Sequence, residues 1–134
     1  MQIQGQAALV TGGGSGLGEA TARELARLGA KVAVLDVNLP NAEKVAADIN
    51  AQHGDGSAVA YACDITDTAS LQAAIAAAAA AHGPARILMN IAGIGSAKRV
   101  VAKDGSPAPL EDFAKVININ LIGTYNASRL FAAE

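Results

Sequence analysis

The sequence has little of what marks a secreted, membrane-bound or nucleic-acid-binding protein. A single cysteine among 134 residues, Cys63, excludes an internal disulfide and is typical of a reducing compartment. The longest apolar run, residues 73–81, is shorter than the roughly 18 to 20 residues that span a bilayer. Residues 1–6 contain no basic segment leading into an apolar one. With a net charge of only -2, the chain is predicted to be cytoplasmic, with no nucleic-acid or membrane partner.

What the chain does contain is enough apolar material for one folded domain. Hydrophobic residues make up 51% and charged residues 16% of the sequence, a balance that is typical of globular proteins. A domain of this length buries on the order of two-thirds of its unfolded surface. The length is sufficient for one domain and too short for two.

Short apolar runs alternate with helix-forming segments along the chain. Strands are predicted at residues 6–10, 31–35, 57–62 and 86–90, where the apolar pattern is nearly continuous. Helices are predicted from Gly16 to a cap at Gly29, from near Pro40 to Gly54, from a cap at Thr66 or Asp67 to about His82, and from Leu110 onward. This alternation predicts a parallel sheet with right-handed crossovers.

The predicted fold is α/β, the N-terminal half of a Rossmann-type doubly wound parallel sheet. A complete dinucleotide domain contains two mononucleotide-binding halves, and the pattern supplies the first half plus a fourth strand. We therefore interpret residues 1–134 as a partial Rossmann domain that stops within the helix after strand four, with strand four at an exposed edge. In the connection at residues 95–109, the sequence Lys103-Asp104-Gly105 predicts a small hairpin.

A glycine-rich loop, residues 11–18 (TGGGSGLG), lies between the first strand and the first helix. In this context, backbone N–H groups and a helix N-terminus can bind a pyrophosphate. We expect Gly12 to make the tight turn, Gly16 to admit the phosphate and Gly18 to let the helix pack against the sheet. A triphosphate loop needs lysine after its last glycine, whereas Glu19 stands there and would repel the ligand. A glycine turn without a ligand remains the alternative.

Asp36 ends the second predicted strand, eighteen positions after Gly18. This is close to the roughly twenty positions at which an acidic residue meets the adenosine ribose. A carboxylate there accepts hydrogen bonds from both ribose hydroxyls and repels a 2′-phosphate, and no basic residue stands from Val37 to Asn41. The sequence therefore predicts NAD rather than NADP. A role for Asp36 that is limited to capping the following turn stays open.

These segments together resemble the short-chain dehydrogenase/reductase family over essentially the whole chain. The glycine loop has the family's spacing, and residues 63–65 (CDI) look like its adenine-binding aspartate and neighbours. Residues 90–93 (NIAG) resemble the family's Asn-Asn-Ala-Gly, with isoleucine replacing the second asparagine. Residues 118–124 (NINLIGT) match the segment that holds the family's structural or catalytic asparagine, here Asn120.

The resemblance implies a set of site residues. Those implied to bind NAD are Gly12, Ser15, Gly16, Leu17, Gly18, Asp36, Asp64, Ile65, Asn90, Ala92 and Gly93. Ile91 is left out because its side chain lacks the polar group of the family's asparagine, and Asn120 is implied to support a proton relay through water. The resemblance also implies a small-molecule substrate, no metal and a homo-oligomer, either dimer or tetramer.

The family's acid/base pair does not occur in this sequence. That pair is a tyrosine followed four residues later by a lysine, which lowers the phenol's pKa. Tyr61 is followed at that spacing by Ile65, and Tyr125 by Arg129. We therefore interpret Tyr125 as a packing residue and expect the 134-residue chain itself to be inactive.

Two functional hypotheses remain. Residues 98–113 resemble the type-two 3-hydroxyacyl-CoA dehydrogenases, although an ordinary surface insertion would explain them equally well. The first hypothesis is an NAD-dependent oxidoreductase acting on a secondary alcohol or ketone, with 3-hydroxyacyl-CoA as one candidate substrate. The second is a non-catalytic dinucleotide-binding or interaction module.

Overall fold

A four-stranded parallel sheet forms the centre of the computed structural model, which describes residues 1–134. Its strands are β1 (Ala7–Thr11), β2 (Lys31–Asp36), β3 (Ala58–Ala62) and β4 (Ile87–Asn90). They are ordered β3-β2-β1-β4, so that the chain reverses direction across the sheet after β3. In such sheets a crevice opens between the loops that leave the two strands at the reversal, here β1 and β4.

The two central strands are buried on both faces. From Ala8 to Val10 and from Val32 to Leu35, every residue is at most 2% exposed, as the nearly continuous apolar pattern predicts. β1 extends one residue beyond its predicted end because Thr11 pairs with both Leu35 and Asn90. β4 is an edge strand, as predicted, and its residues are only half-buried or exposed.

Helices cover the two faces of the sheet. On one face, α1 (Gly16–Arg27) and α2 (Leu39–His53) pack on the side chains of Val10 and Val34. On the other face, α3 (Thr68–His82) packs on Leu9 and Leu35. Of the two caps predicted for α3, the structure uses Asp67, whose carboxylate accepts hydrogen bonds from the N–H groups of Ala69 and Ser70.

After β4 the chain forms a long connection and then a helical stretch. The predicted hairpin is confirmed as one antiparallel bridge between Val101 and Pro107, with Gly105 at a φ of +85° in the turn. The helical stretch comprises α4 (Leu110–Ile117), a π-helical segment (Asn118–Gly123) and α5 (Thr124–Ala132). The sequence pattern predicted one uninterrupted helix here and did not indicate the π segment. None of the helices has the length and apolarity needed to cross a membrane.

Candidate functional site

A cavity of about 460 Å³ lies at the carboxyl ends of the strands, where the sheet order reverses. The loops that follow all four strands contribute to its wall. Ten of the eleven residues predicted to bind the cofactor line it: Gly12, Ser15, Gly16, Leu17, Gly18, Asp36, Asp64, Ile65, Ala92 and Gly93. The structure thus brings together, from distant parts of the chain, nearly all of the residues that the motifs singled out.

The three spaced glycines of the loop have different surroundings. Gly12 has a φ of +67°, and a Cβ atom there would lie 2.8 Å from the backbone of Ala92. A Cβ on Gly18 would lie 1.9 Å from the carbonyl oxygen of Gly12, so Gly18 permits a close contact between the helix and the glycine loop. The sequence predicted that Gly18 would permit a close contact between the helix and the sheet. Gly16, at a φ of +54°, would have nothing within 4 Å of an added Cβ atom. The open space beside Gly16 suits the close approach of a phosphate.

Gly13 and Gly14 are also required by their surroundings, and neither was among the predicted residues. A Cβ on Gly13 would lie 2.8 Å from the Cγ1 atom of Val34, and one on Gly14 would lie 2.9 Å from the Oδ2 atom of Asp36. The backbone N–H of Gly14 donates a hydrogen bond to that same oxygen at 2.9 Å. The uninterrupted run of three glycines was the available signal, since each position must pack against a different neighbour.

The first turn of α1 is free to bind an anion. Ser15, at the N-cap, makes no capping hydrogen bond with its side chain, and the N–H groups of Leu17 and Gly18 have no acceptor in the protein. Such uncapped N–H groups carry partial positive charge at a helix N-terminus. The carboxylate of Glu19 pairs instead with Arg23 at 2.7 Å. Hydrogen bonds from Arg23 to Glu19 and Asp48 raise the pKa of its guanidinium, which remains charged.

Asp36 both caps a turn and faces the cavity. Its Oδ1 accepts a hydrogen bond from the N–H of Asn38 at 2.9 Å, while its Oδ2 accepts from Gly14. An ionised carboxylate has about four acceptor positions, so two remain available to ribose hydroxyls. No lysine or arginine lines the cavity beside it.

The loop after β3 supplies Cys63, Asp64 and Ile65. Burial, together with the nearby carboxylates of Asp64 and Asp36, raises the pKa of Cys63 to about 11. Its thiol is therefore protonated at neutral pH, which fits a packing role. The Oδ1 atom of Asp64 accepts hydrogen bonds from the N–H and the hydroxyl of Thr66, leaving Oδ2 without a partner.

The loop after β4 is held by Thr11 at the end of β1. The Thr11 hydroxyl, which is fully buried, accepts hydrogen bonds from the N–H groups of Ile91 and Ala92 at 3.2 and 3.3 Å. Ile91 lines the cavity although it was left out of the predicted set. Asn90 does not line the cavity and donates instead to the hydroxyl of Ser128 at 3.1 Å. Its predicted contact with NAD stays a prediction.

Asn120 is placed by the π segment and clamps the loop after β4. Its Oδ1 accepts a hydrogen bond from the N–H of Ile94 at 2.8 Å, and its Nδ2 donates to the carbonyl of the same residue at 2.7 Å. Ile94 in turn lines the cavity. This geometry gives Asn120 a supporting role, while its part in a proton relay stays a prediction.

Neither tyrosine belongs to the cavity. The hydroxyl of Tyr61 donates to the carbonyl of Ala77 at 3.2 Å. Tyr125 is 69% exposed, so within this chain it is not the packing residue that the sequence predicted. The guanidinium of Arg129 contacts Asn126 and Thr68.

Five cavity residues lie outside the predicted set, and all have apolar side chains. They are Val37, Cys63, Ile91, Ile94 and Ile119. Apolar side chains carry no distinctive chemical signal in a sequence. Val37 and Ile91 could nevertheless have been predicted from their position directly after β2 and β4, because ligands bind at the carboxyl ends of parallel strands.

The fold and the site together define a Rossmann-type dinucleotide-binding domain. A family model described as short chain dehydrogenase matches residues 6–134. The chain therefore belongs to the short-chain dehydrogenase family.

Individual relatives agree with this assignment. The chain is 40% identical over 134 residues to 3-hydroxyacyl-CoA dehydrogenase type-2 of Bos taurus, covering 98% of this chain and 49% of the relative. It is 40% identical over 124 residues to D-threitol dehydrogenase of Mycolicibacterium smegmatis, covering 92% and 45%. The chain thus spans about half the length of the curated relatives it matches.

Solved structures show the same fold. A 3-ketoacyl-(acyl-carrier-protein) reductase from Brucella melitensis, complexed with NADH, superposes with a TM-score of 0.83 at 38% identity. That match covers 95% of this chain and 49% of the reductase. Sorbitol-6-phosphate 2-dehydrogenase from Erwinia amylovora superposes with a TM-score of 0.86 at 36% identity, covering 94% and 47%.

Proposed function

We propose that this chain is the dinucleotide-binding part of an NAD-dependent oxidoreductase that interconverts a secondary alcohol and a ketone. The observation that carries the proposal is the convergence on one cavity of the uncapped α1 N-terminus and the Asp36 carboxylate. The first suits a pyrophosphate and the second a ribose, and a dinucleotide contains both.

The residues present fit such a cofactor. The N–H groups at the start of α1 would hold the pyrophosphate, and the two free acceptor positions of Asp36 would take the ribose hydroxyls. Asp64 and Ile65 would contact the adenine, and Ala92 and Gly93 would support the nicotinamide half. When bound, the nicotinamide would supply hydride transfer, while the protein contributes orientation and electrostatics.

We propose NAD rather than NADP as the cofactor. A 2′-phosphate would meet the negative charge of Asp36, and the cavity offers no lysine or arginine to compensate. Like charges brought this close disfavour binding. The NADH complexed with the Brucella melitensis reductase supports a nicotinamide cofactor.

The substrate class proposed is a secondary alcohol, with 3-hydroxyacyl-CoA as the particular candidate. Support comes from the 40% identity to a type-2 3-hydroxyacyl-CoA dehydrogenase and from the resemblance of residues 98–113 to that group. Catalysis would need an acid/base pair of the family's kind, which this sequence does not contain. The non-catalytic alternative makes the same binding prediction for this chain. Turnover of an alcohol by a longer form of the protein that carries a tyrosine-lysine pair would separate the two.

A homo-oligomer is also proposed. Large apolar side chains are exposed along the helical stretch after β4: Leu110, Phe113, Leu121, Ile122 and Tyr125. Several large exposed apolar side chains on one helical stretch are typical of a protein–protein contact.

The cofactor proposal is tested by titrating the folded chain with NADH and NADPH, following the fluorescence of the reduced nicotinamide. We expect NADH to bind more tightly. Asp36→Asn should reduce that preference because the charge is lost while an acceptor oxygen remains, and Val37→Arg should shift it toward NADPH. Asp55→Asn is the matched control, since Asp55 is an exposed acidic residue in the turn before β3. Equal or tighter binding of NADPH by the unaltered chain would contradict the choice of NAD, and an unchanged preference in Asp36→Asn would contradict the role of Asp36. No binding of either dinucleotide would contradict the cofactor proposal.

A further inference from the structure

The cavity wall at residues 63–65 is held mainly by residues that precede β4. The N–H of Asp64 donates to the Ser70 hydroxyl at 2.9 Å, and the carbonyl of Asp64 accepts from the N–H of Asp67 at 3.0 Å. The N–H of Cys63 donates to the carbonyl of Asp36. All of these partners come from the elements around β2, β3 and α3.

One hydrogen bond joins this wall to the helical stretch after β4. Asn126 in α5 is 7% exposed, and its Nδ2 donates to the carbonyl of Ile65 at 3.1 Å. The orientation of the amide is fixed from its other side, because its Oδ1 accepts from Nε of Arg129 at 2.9 Å and faces the Thr68 hydroxyl at 3.4 Å. A flipped amide would place its donors against those of Arg129.

A second contact brings the same helical stretch against Ile65. A Cβ atom on Gly123, the last residue of the π segment, would lie 2.7 Å from the Cγ1 atom and 2.8 Å from the Cδ1 atom of Ile65. Gly123 therefore permits the helix to approach closely enough for Asn126 to reach the Ile65 carbonyl. Both the backbone and the side chain of Ile65 thus contact the helical stretch after β4.

We infer that Asn126 is a positioning residue for the adenine end of the cofactor cavity, an inference that rests on the proposed function. Asn126 does not line the cavity and would act through Ile65. The Ile65 carbonyl that it fixes shares a planar peptide group with the Thr66 N–H, which donates to Oδ1 of Asp64 and so orients that carboxylate. The free Oδ2 of Asp64 can accept a hydrogen bond from the exocyclic amine of adenine.

The test compares the affinity of the chain for NADH with its affinity for the hypoxanthine analogue of NADH, in which a carbonyl replaces that amine. The unaltered chain is expected to prefer NADH because a carbonyl cannot donate to Asp64. Asn126→Asp preserves size and the pairing with Arg129 but turns a carboxylate oxygen toward the Ile65 carbonyl. We expect it to weaken NADH binding about five- to tenfold and to reduce the preference for adenine.

Two further variants keep the inference falsifiable. Asn50→Asp is the matched control, because the Asn50 amide likewise binds a backbone, that of Ala58, at the opposite end of the sheet. It should leave the adenine preference unchanged, whatever its effect on the melting temperature. Gly123→Ala should shift the preference in the same direction as Asn126→Asp, because the added Cβ atom displaces the Ile65 side chain and moves the helix that carries Asn126 away from the Ile65 carbonyl.

The outcomes separate this inference from the proposed function. Absence of NADH binding by the unaltered, folded chain would contradict the proposed function itself. Clear NADH binding, with an adenine preference that Asn126→Asp does not reduce, would overturn the positioning role alone, whatever the result for Gly123→Ala. Equal weakening of both dinucleotides, matching the Asn50→Asp control, would also overturn it, since that pattern indicates a general loss of stability.

Discussion

The region before β4 and the helical stretch after it are built in different ways. Every residue of β1 is buried, and α1, α2 and α3 each bury a set of side chains against the sheet. No residue of α4 is buried, and α5 buries only Asn126 and Ala127. The first region has its own core, whereas the second contacts that core at a few points and exposes much of its apolar surface.

This contrast separates two contributions to the cavity. The region before β4 supplies the surfaces that would meet pyrophosphate, ribose and adenine, and it does so with its own glycine loop and strand ends. The later helical stretch supplies side chains that hydrogen-bond the backbone of cavity residues: Asn120 binds Ile94, and Asn126 binds Ile65. Substitutions in the first region should therefore affect folding, while those in the second should affect the site and association.

The largest effect is expected for Gly18→Ala. The new Cβ atom would overlap the carbonyl oxygen of Gly12, and two backbone segments would have to move apart. We expect a loss of about 4 kcal/mol in the free energy of unfolding, measured by urea denaturation. Gly16→Ala is the control: it meets no neighbour and should cost only about 1 to 2 kcal/mol for its left-handed backbone. Similar losses for the two variants would contradict the packing role of Gly18.

The next largest effect is the loss of stability on truncating a core side chain, compared with an exposed one. Leu9 is 2% exposed and Phe113 is 65% exposed. Leu9→Ala should lower the free energy of unfolding by about 3 kcal/mol, through lost burial and a cavity. Phe113→Ala should change it by less than about 0.5 kcal/mol. If denaturation curves showed comparable losses, the division between the two regions would be wrong.

The exposed apolar face should matter for association instead. Replacing both Phe113 and Tyr125 by serine removes two large exposed side chains. We expect sedimentation velocity to show a shift toward monomer with little change in the melting temperature. An unchanged oligomeric state would argue against an interface on this face.

The smallest effect is a dependence of stability on pH through His82. Burial lowers the pKa of His82 below its usual 6.5, with its hydrogen bond to the Gly56 carbonyl opposing this and Lys31 adding to it. Its Nδ1 is buried without a partner, so an added proton there has no acceptor. Because the unfolded chain takes up that proton first, stability present above pH 6.5 should be lost as the pH falls below it.

The measurement for His82 is the urea midpoint at pH 8 and pH 5.5. The decrease on acidification should be smaller in His82→Gln, which does not titrate, than in the unaltered chain. His53→Gln, at an exposed histidine, provides the control. A decrease that is the same in all three proteins would assign the effect to other groups.

The sequence predicted the first region better than the second for a physical reason. Continuous apolar strands, the glycine loop and the Asp67 cap are local patterns, so their structure follows from nearby residues. The π segment and the partners of Asn90, Asn120 and Asn126 depend on contacts between distant residues. No periodicity in the sequence indicates that the Asn126 amide in α5 binds the carbonyl of Ile65.

The candidate site shows the same division. Gly16 and Asp36 were predicted because their chemistry and spacing are distinctive, and the structure places both at the cavity. Gly13 and Gly14 were missed because their need for space depends on Val34 and Asp36, which only the folded sheet brings near. The exposure of Tyr125 was missed because burial depends on what lies against the helix.

The most direct test of the dinucleotide site is to follow the backbone amide signals of the isotope-labelled chain by NMR during addition of NADH. We expect saturable shifts for Leu17 and Gly18 at the start of α1, for Asp36 and Val37 after β2, and for Ile65. The Val101–Pro107 hairpin should remain unshifted. Shifts confined to the hairpin or to the exposed face of α4, with the α1 N-terminus unaffected, would contradict the assignment of the cavity as a dinucleotide site.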